Sequence, residues 1–119
     1  MPKYVIITPV RNEEENIEHT LMSVINQNLL PIQWIIINDG STDKTPQIIN
    51  KFPGKYNWIY TVHRKDRGYR KAGSGVMEAF FEGYSHLKSN NYDFIVKLDG
   101  DLKIASDYFE RCFKYFEVN

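Results

Sequence analysis

The stretch Phe94-Ile95-Val96-Lys97-Leu98-Asp99-Gly100-Asp101 decides the fold, because a run of β-forming residues leads directly into two carboxylates. An earlier stretch, Ile35-Ile36-Ile37-Asn38-Asp39-Gly40-Ser41, has the same form and carries one carboxylate at its end. In an open α/β sheet, ligands bind in the crevice beyond the carboxyl ends of the strands. Both stretches therefore predict strands that end at a ligand site.

Strand-like and helix-like segments alternate along the chain. The predicted strands are residues 4–7, 34–37, 58–62 and 94–98, and apolar residues at helical spacing follow each of them. Asn12 is predicted as the N-cap of the first helix, with Glu15 as its capping-box partner. This order predicts an α/β fold with an open parallel sheet and helices on both faces, in a single domain over residues 1–119.

Composition limits the possible functions. The 119 residues include 15 Lys or Arg and 15 Asp or Glu, so the formal net charge is zero, which argues against a dedicated nucleic-acid binder. The single cysteine, Cys112, permits no internal disulfide and fits a reducing compartment. No signal-peptide pattern and no apolar run of bilayer length occur in this sequence. We expect a cytoplasmic location, or attachment at the membrane surface through further parts or partners.

The predicted strand ends bring polar residues together. Thr8, Asp39, His63 and Asp99 each follow a strand, so we expect them to meet at one edge of the sheet. Asp101 is suited to bind a divalent ion directly, while Asp99 acts through water or a ribose. Magnesium or manganese fits all-oxygen ligation, completed by phosphate oxygens and water. The sequence thus predicts a nucleoside-diphosphate site, although both acidic stretches are also compatible with ordinary turns and helix caps.

A basic segment, residues 63–71, follows the third predicted strand. It is either a solvated loop or a source of cations for a diphosphate. Arg70 and Lys71 lie closest to the next helix and are the candidates for the second role. The Gly73-Ser74-Gly75 stretch could bring backbone N–H groups near a phosphate, but it is not a dinucleotide fingerprint.

Three motifs together resemble a known family. They are Val5-Ile6-Ile7-Thr8-Pro9-Val10-Arg11-Asn12-Glu13, Ile36-Ile37-Asn38-Asp39-Gly40-Ser41-Thr42-Asp43 and Lys97-Leu98-Asp99-Gly100-Asp101. In this order they are similar to the start of a family 2 glycosyltransferase with the GT-A fold. The resemblance implies a UDP- or GDP-sugar donor, Mg²⁺ or Mn²⁺, inversion at the anomeric carbon and a sheet order of 3-2-1-4.

The resemblance also implies roles for individual residues. Thr8 would line the nucleotide pocket, Asp39 would contact the base or ribose, and Asp101 would bind the metal beside Asp99. The predicted nucleotide-binding residues are Thr8, Pro9, Arg11, Asp39, Arg70, Lys71 and Asp99, and the predicted metal ligands are Asp101 and Asp99.

One departure from the family concerns the catalytic base. Family members continue well past the Asp-x-Asp motif and supply a carboxylate base there, whereas Asp107, Glu110 and Glu117 are better explained as surface or capping residues. We therefore assign no general base and expect the nucleotide-binding half of such an enzyme. The alternatives are a non-catalytic nucleotide-sugar-binding module and, less favoured, a nucleotidyltransferase. The acceptor could be a glycan, a lipid or a small molecule, and the edge strand 94–98 could support a homo-oligomer.

Overall fold

The computed structural model describes residues 2–65 and 74–117, and in these residues four strands alternate with four helices. The elements are β1 (Tyr4–Val10), α1 (Ile17–Ile25), β2 (Gln33–Asp39), α2 (Thr45–Ile49), β3 (Ile59–Arg64), α3 (Ser74–Ser85), β4 (Phe94–Lys97) and α4 (Tyr108–Glu117). Within the same residues, no helix is both long enough and apolar enough to cross a membrane.

The strands form one parallel sheet in the order β3-β2-β1-β4. This confirms the predicted α/β fold and the predicted strand order. Because all four strands run in the same direction, their carboxyl ends lie along one edge. The register aligns Val10 with Asn38, and Asp39 with Arg64.

Two cores cover the two faces of the sheet. On one face, Ile6 and Trp34 pack with residues of α1, α2 and α4. On the other face, Ile7 and Ile37 pack against Ala79 of α3. β1 and β2 are thus buried on both sides, which explains why their sequences are nearly continuous apolar runs.

The first helix begins later than predicted. α1 starts at Ile17 after Asn16, and the expected capping role of Asn12 is wrong. Asn12 instead has a left-handed backbone with φ of 53°, a conformation that Asn tolerates better than most residues. Its side-chain Oδ1 accepts a hydrogen bond from the Thr42 N–H at 2.8 Å. The Asn12 side chain therefore stabilises the loop after β2 rather than the start of α1.

Three strands extend further than predicted. β1 continues through Val10 rather than ending at residue 7. β2 continues through Asp39, and β3 continues through His63 and Arg64. The basic segment predicted as a loop from residue 63 therefore begins inside β3. As a result Arg64 is held by the sheet next to Asp39.

Candidate functional site

Two adjoining cavities open at the carboxyl edge of the sheet, and we call them together the crevice. The larger one, about 270 Å³, is lined by Pro9, Val10, Arg11, Glu13, Val76, Asp99, Gly100 and Asp101. The smaller one, about 30 Å³, shares Pro9, Val10, Arg11 and Val76 and extends to Asp39. The structure therefore brings together five of the predicted site residues: Pro9, Arg11, Asp39, Asp99 and Asp101.

A still larger cavity, about 360 Å³, lies elsewhere. It is lined by residues between the end of α3 and the start of β4, including Tyr84 and Tyr92. That position is at the amino ends of the strands, away from the predicted site residues that the structure describes. Size alone is therefore a poor guide to the functional site in this molecule.

The turn that carries Asp99 and Asp101 is anchored in the core through Gly100. This glycine is buried, and a Cβ at its position would lie only 2.5 Å from Cγ1 of Val10. The buried hydroxyl of Thr20 in α1 donates a hydrogen bond of 2.9 Å to the Gly100 carbonyl. The backbone between the two carboxylates is thus fixed, while both carboxylates are exposed to solvent.

The two carboxylates offer the oxygen donors that a hard divalent cation prefers. The Asp99 side chain is 63% exposed, and its Oδ1 lies 3.0 Å from Nζ of Lys97. In the parts of the chain that the structure covers, no three His, Cys, Asp or Glu side chains form a metal-binding group. Asp99 and Asp101 therefore fit Mg²⁺ or Mn²⁺ as part of a ligand set that phosphate oxygens and water would complete.

Asp39 lies at the other end of the crevice, as the last residue of β2. Its side chain is only 6% exposed, and its Oδ1 lies 3.2 Å from Nη1 of Arg64. Arg11 contacts the same turn through its Nη1, which donates to the carbonyls of Asp39 at 3.0 Å and Gly40 at 2.9 Å. Two guanidinium groups, from β3 and from the loop after β1, thus hold the end of β2.

Arg64 is the site residue that sequence reasoning missed. The predicted cations, Arg70 and Lys71, lie outside the described residues, so their roles stay predictions. The strand register would have indicated Arg64. If Trp34 of the second strand pairs with Ile59 of the third, the same register places Asp39 beside Arg64. Placing the end of the third strand two residues too early put Arg64 in a loop.

Thr8 does not line the crevice with its side chain. It is fully buried, and its hydroxyl accepts a hydrogen bond of 2.8 Å from Nε1 of Trp34. The Thr8 side chain therefore belongs to the core in this structure, and the predicted contact of Thr8 with a nucleotide stays a prediction. Side chains alternate between the two faces of a strand. Thr8 therefore lies on the same face as Ile6 and Val10, which is covered by α1.

His63 does not join the crevice either. Its Nδ1 lies 3.1 Å from Nδ2 of Asn38, and its Nε2 lies 2.9 Å from Oδ1 of Asn50. With the amides in these orientations, Asn38 donates to Nδ1 and the imidazole donates from Nε2 to Asn50. The ring therefore links β2 and β3 to the end of α2.

The loop after β1 and the loop after β2 hold each other in place. The Asn12 N–H donates to Oγ of Ser41 at 3.0 Å, and the Glu13 N–H donates to Oγ1 of Thr45 at 2.9 Å. Asp43 accepts hydrogen bonds from the Glu14 N–H at 3.2 Å and the Thr45 N–H at 2.9 Å. Desolvation alone would raise the pKa of Asp43, but the hydrogen bonds from Thr45 and Glu14 outweigh it and lower the pKa below its ordinary value.

Comparison with known families identifies the family of this chain. Residues 5–119 match the family model described as "Glycosyl transferase family 2", so the chain belongs to that family. It is 34% identical over 103 residues to the probable glycosyltransferase YdaM of Bacillus subtilis (strain 168), covering 85% of this chain and 23% of that protein. It is 29% identical over 116 residues to the chondroitin synthase of Pasteurella multocida (strain Pm70), covering 98% of this chain and 11% of that protein.

Solved structures of glycosyltransferases share the fold. Residues 1–349 of S. aureus TarS superimpose with a TM-score of 0.76 at 21% identity, covering 97% of this chain and 32% of that one. The mannosyltransferase PcManGT from Pyrobaculum calidifontis, in complex with GDP-Man and Mn²⁺, gives a TM-score of 0.73 at 20% identity, with 97% and 32% covered. The chain thus corresponds to about a third of each of these structures and to less than a quarter of the two curated relatives.

Proposed function

We propose that this chain is the nucleotide-sugar-binding part of a metal-dependent, inverting glycosyltransferase that uses a UDP- or GDP-sugar. The observation that carries the proposal is that Asp99, Asp101 and Arg11 line one cavity, which adjoins a second one at Asp39. Family membership supports the reaction class. The donor class is supported by solved structures of TarS with UDP-GlcNAc and of PcManGT with GDP-Man and Mn²⁺.

Each end of the crevice has a separate role in this proposal. Asp101 and Asp99 hold Mg²⁺ or Mn²⁺ together with the diphosphate. When bound, the ion supplies positive charge that stabilises the departing nucleoside diphosphate. Asp39 accepts hydrogen bonds from a base N–H or from ribose hydroxyls, and Arg11 keeps the turn after Asp39 in place.

Transfer with inversion also needs a carboxylate that takes the proton of the acceptor hydroxyl. Neither Asp107, which precedes α4, nor Glu110 in its first turn is placed for this. Asp107 pairs with Arg111 at 3.2 Å, and Glu110 accepts a hydrogen bond from Asn28 at 3.3 Å. We therefore expect the 119-residue chain to bind a donor but to transfer its sugar poorly. Clear transfer to an acceptor would show that a base has been overlooked, and slow hydrolysis of a bound nucleotide sugar would distinguish an enzyme part from the non-catalytic module.

Calorimetry with UDP and GDP, in the presence of Mn²⁺ or of a chelator, tests the proposed site. The parent chain should bind a nucleotide more tightly with Mn²⁺, and Asp101→Ala should remove that difference. Asp39→Ala should weaken nucleotide binding but keep the requirement for metal. Asp107→Ala, directly before α4, serves as the control. Equal affinity with Mn²⁺ and with chelator in the parent chain would contradict the proposed role of Asp101.

A further inference from the structure

We infer that Arg64 is a positioning residue for Asp39 and orients its carboxylate toward the nucleoside. The inference rests on the proposed function, since it assumes a nucleoside at the Asp39 end of the crevice. Asp39 and Arg64 are the last residues of adjacent parallel strands and are paired in register. The backbone of the sheet therefore holds the two side chains next to each other.

Burial makes this pairing important. The side chains of Asp39 and Arg64 are only 6% and 18% exposed. Burial of a carboxylate costs desolvation free energy unless an opposite charge compensates for it. Removal of one partner of a buried ion pair leaves the other charge without that compensation. Arg64 thus places a compensating positive charge beside the Asp39 carboxylate at the end of β2.

The guanidinium of Arg64 is fixed on its other sides by α3. Its Nε lies 3.1 Å from Oε1 of Glu82, and its Nη2 lies 3.7 Å from Oε2 of Glu78. A planar guanidinium can contact several carboxylates in fixed directions, whereas a lysine ammonium cannot reproduce that geometry. Glu78 and Glu82 therefore determine the orientation in which Arg64 faces Asp39.

The contact between Arg64 and Asp39 is incomplete in the described structure. Nη1 of Arg64 is buried and has no hydrogen-bond partner there, although it lies 3.2 Å from Oδ1 of Asp39. A small rotation of the carboxylate would complete a charge-assisted hydrogen bond, which is stronger than a neutral one. Completion of this bond when a nucleoside donates to Asp39 would make Arg64 stabilise the bound state more than the free state.

A double-mutant cycle over Asp39→Asn and Arg64→Met tests the inference. The dissociation constants of UDP and GDP are measured by calorimetry in the presence of Mn²⁺. Each single variant should weaken binding about tenfold, and the double variant should be about as weak as Asp39→Asn alone. Arg111→Met is the matched control, because Arg111 contacts Asp107 at the same 3.2 Å but on the exposed surface of α4.

A conservative variant keeps the test decisive if Arg64→Met does not fold, as judged by circular dichroism. Arg64→Lys retains the charge and replaces Arg64→Met in the cycle, with a smaller loss of affinity expected. If Asp39→Asn binds nucleotide as tightly as the parent chain, the proposed function fails at this residue. If Asp39→Asn weakens binding but the Arg64 variants do not, or if the losses add in the double variant, the positioning role of Arg64 is overturned.

Discussion

Gly100 separates the two carboxylates of the crevice, and a side chain at its position would enter the core. We expect Gly100→Ala to destabilise the fold by about 1–3 kcal/mol, because its Cβ would meet a buried neighbour that cannot move freely. That neighbour is Val10, whose Cγ1 would be 2.5 Å away. Urea denaturation measures the stability, and calorimetry with UDP and Mn²⁺ should show weaker binding because the turn shifts.

Gly54 provides the matched control for Gly100. A Cβ at Gly54 would have no heavy atom within 4 Å. Gly54→Ala should therefore change the free energy of unfolding by no more than about 0.5 kcal/mol. Equal effects of the two substitutions would show that the loss of a glycine, rather than the contact with Val10, determines the result.

Single residues were the hardest feature to predict from the sequence. The acidic residues could be recognised because they directly follow apolar strands. The roles of Thr8 and Arg64 depend on which face of a strand a residue occupies and where that strand ends. An error of one residue in the strand register places each side chain on the opposite face of the sheet. An error of two residues in the end of the third strand placed Arg64 in a loop instead of the sheet.

At the level of secondary structure elements, two loops support the crevice by interlocking. Asp43 is central to this contact because each of its two oxygens accepts a backbone N–H, from Glu14 and from Thr45. A carboxyl whose pKa is lowered in the folded state stabilises the fold above its unfolded pKa and loses that contribution as the pH falls through the folded value. The stabilisation by Asp43 is therefore complete at neutral pH and declines below an ordinary pKa of 3.8.

Substitution of Asp43 should reveal this pH dependence. Asp43→Asn keeps one acceptor oxygen and has no charge to lose, so we expect it to be less stable than the parent chain at pH 7. The difference should shrink at an acidic pH below 3.8, where the contribution of the ionised parent carboxyl declines. Urea denaturation at both pH values measures it, with Glu15→Gln in the loop after β1 as the control. A difference that is equal at both pH values would contradict the role of the ionised Asp43.

The order of the elements was predictable, whereas one important boundary was not. Strands buried on both faces appear as unbroken apolar runs, so their number and parallel arrangement follow from the pattern. The start of α1 does not follow from the pattern. Asn12 is a residue type that often caps helices, but here its side chain accepts a hydrogen bond from Thr42 in another loop. Local signals cannot distinguish these two uses of an Asn side chain.

At the level of the whole molecule, the two faces of β4 differ. Phe94 and Val96 pack against the core that includes Phe113 of α4. Ile95 lies on the opposite face and is 37% exposed, and on that side of the sheet α3 packs against β1 and β2. Within the described residues, β4 pairs with β1 on one side and with no strand on the other.

An edge strand with an exposed apolar residue invites pairing with another chain. We therefore predict weak self-association through β4. It should be weak because a strand of four residues falls far short of the roughly 800 Å² per partner of a stable interface, and because Lys97 adds a charge at this edge. In sedimentation velocity, the mean sedimentation coefficient of the parent chain should rise with concentration. Ile95→Lys should reduce that rise, whereas Leu102→Lys, which replaces another exposed apolar residue, should not. A parent chain that stays monomeric at all concentrations would mean that α4 and the charge of Lys97 are enough to protect the edge.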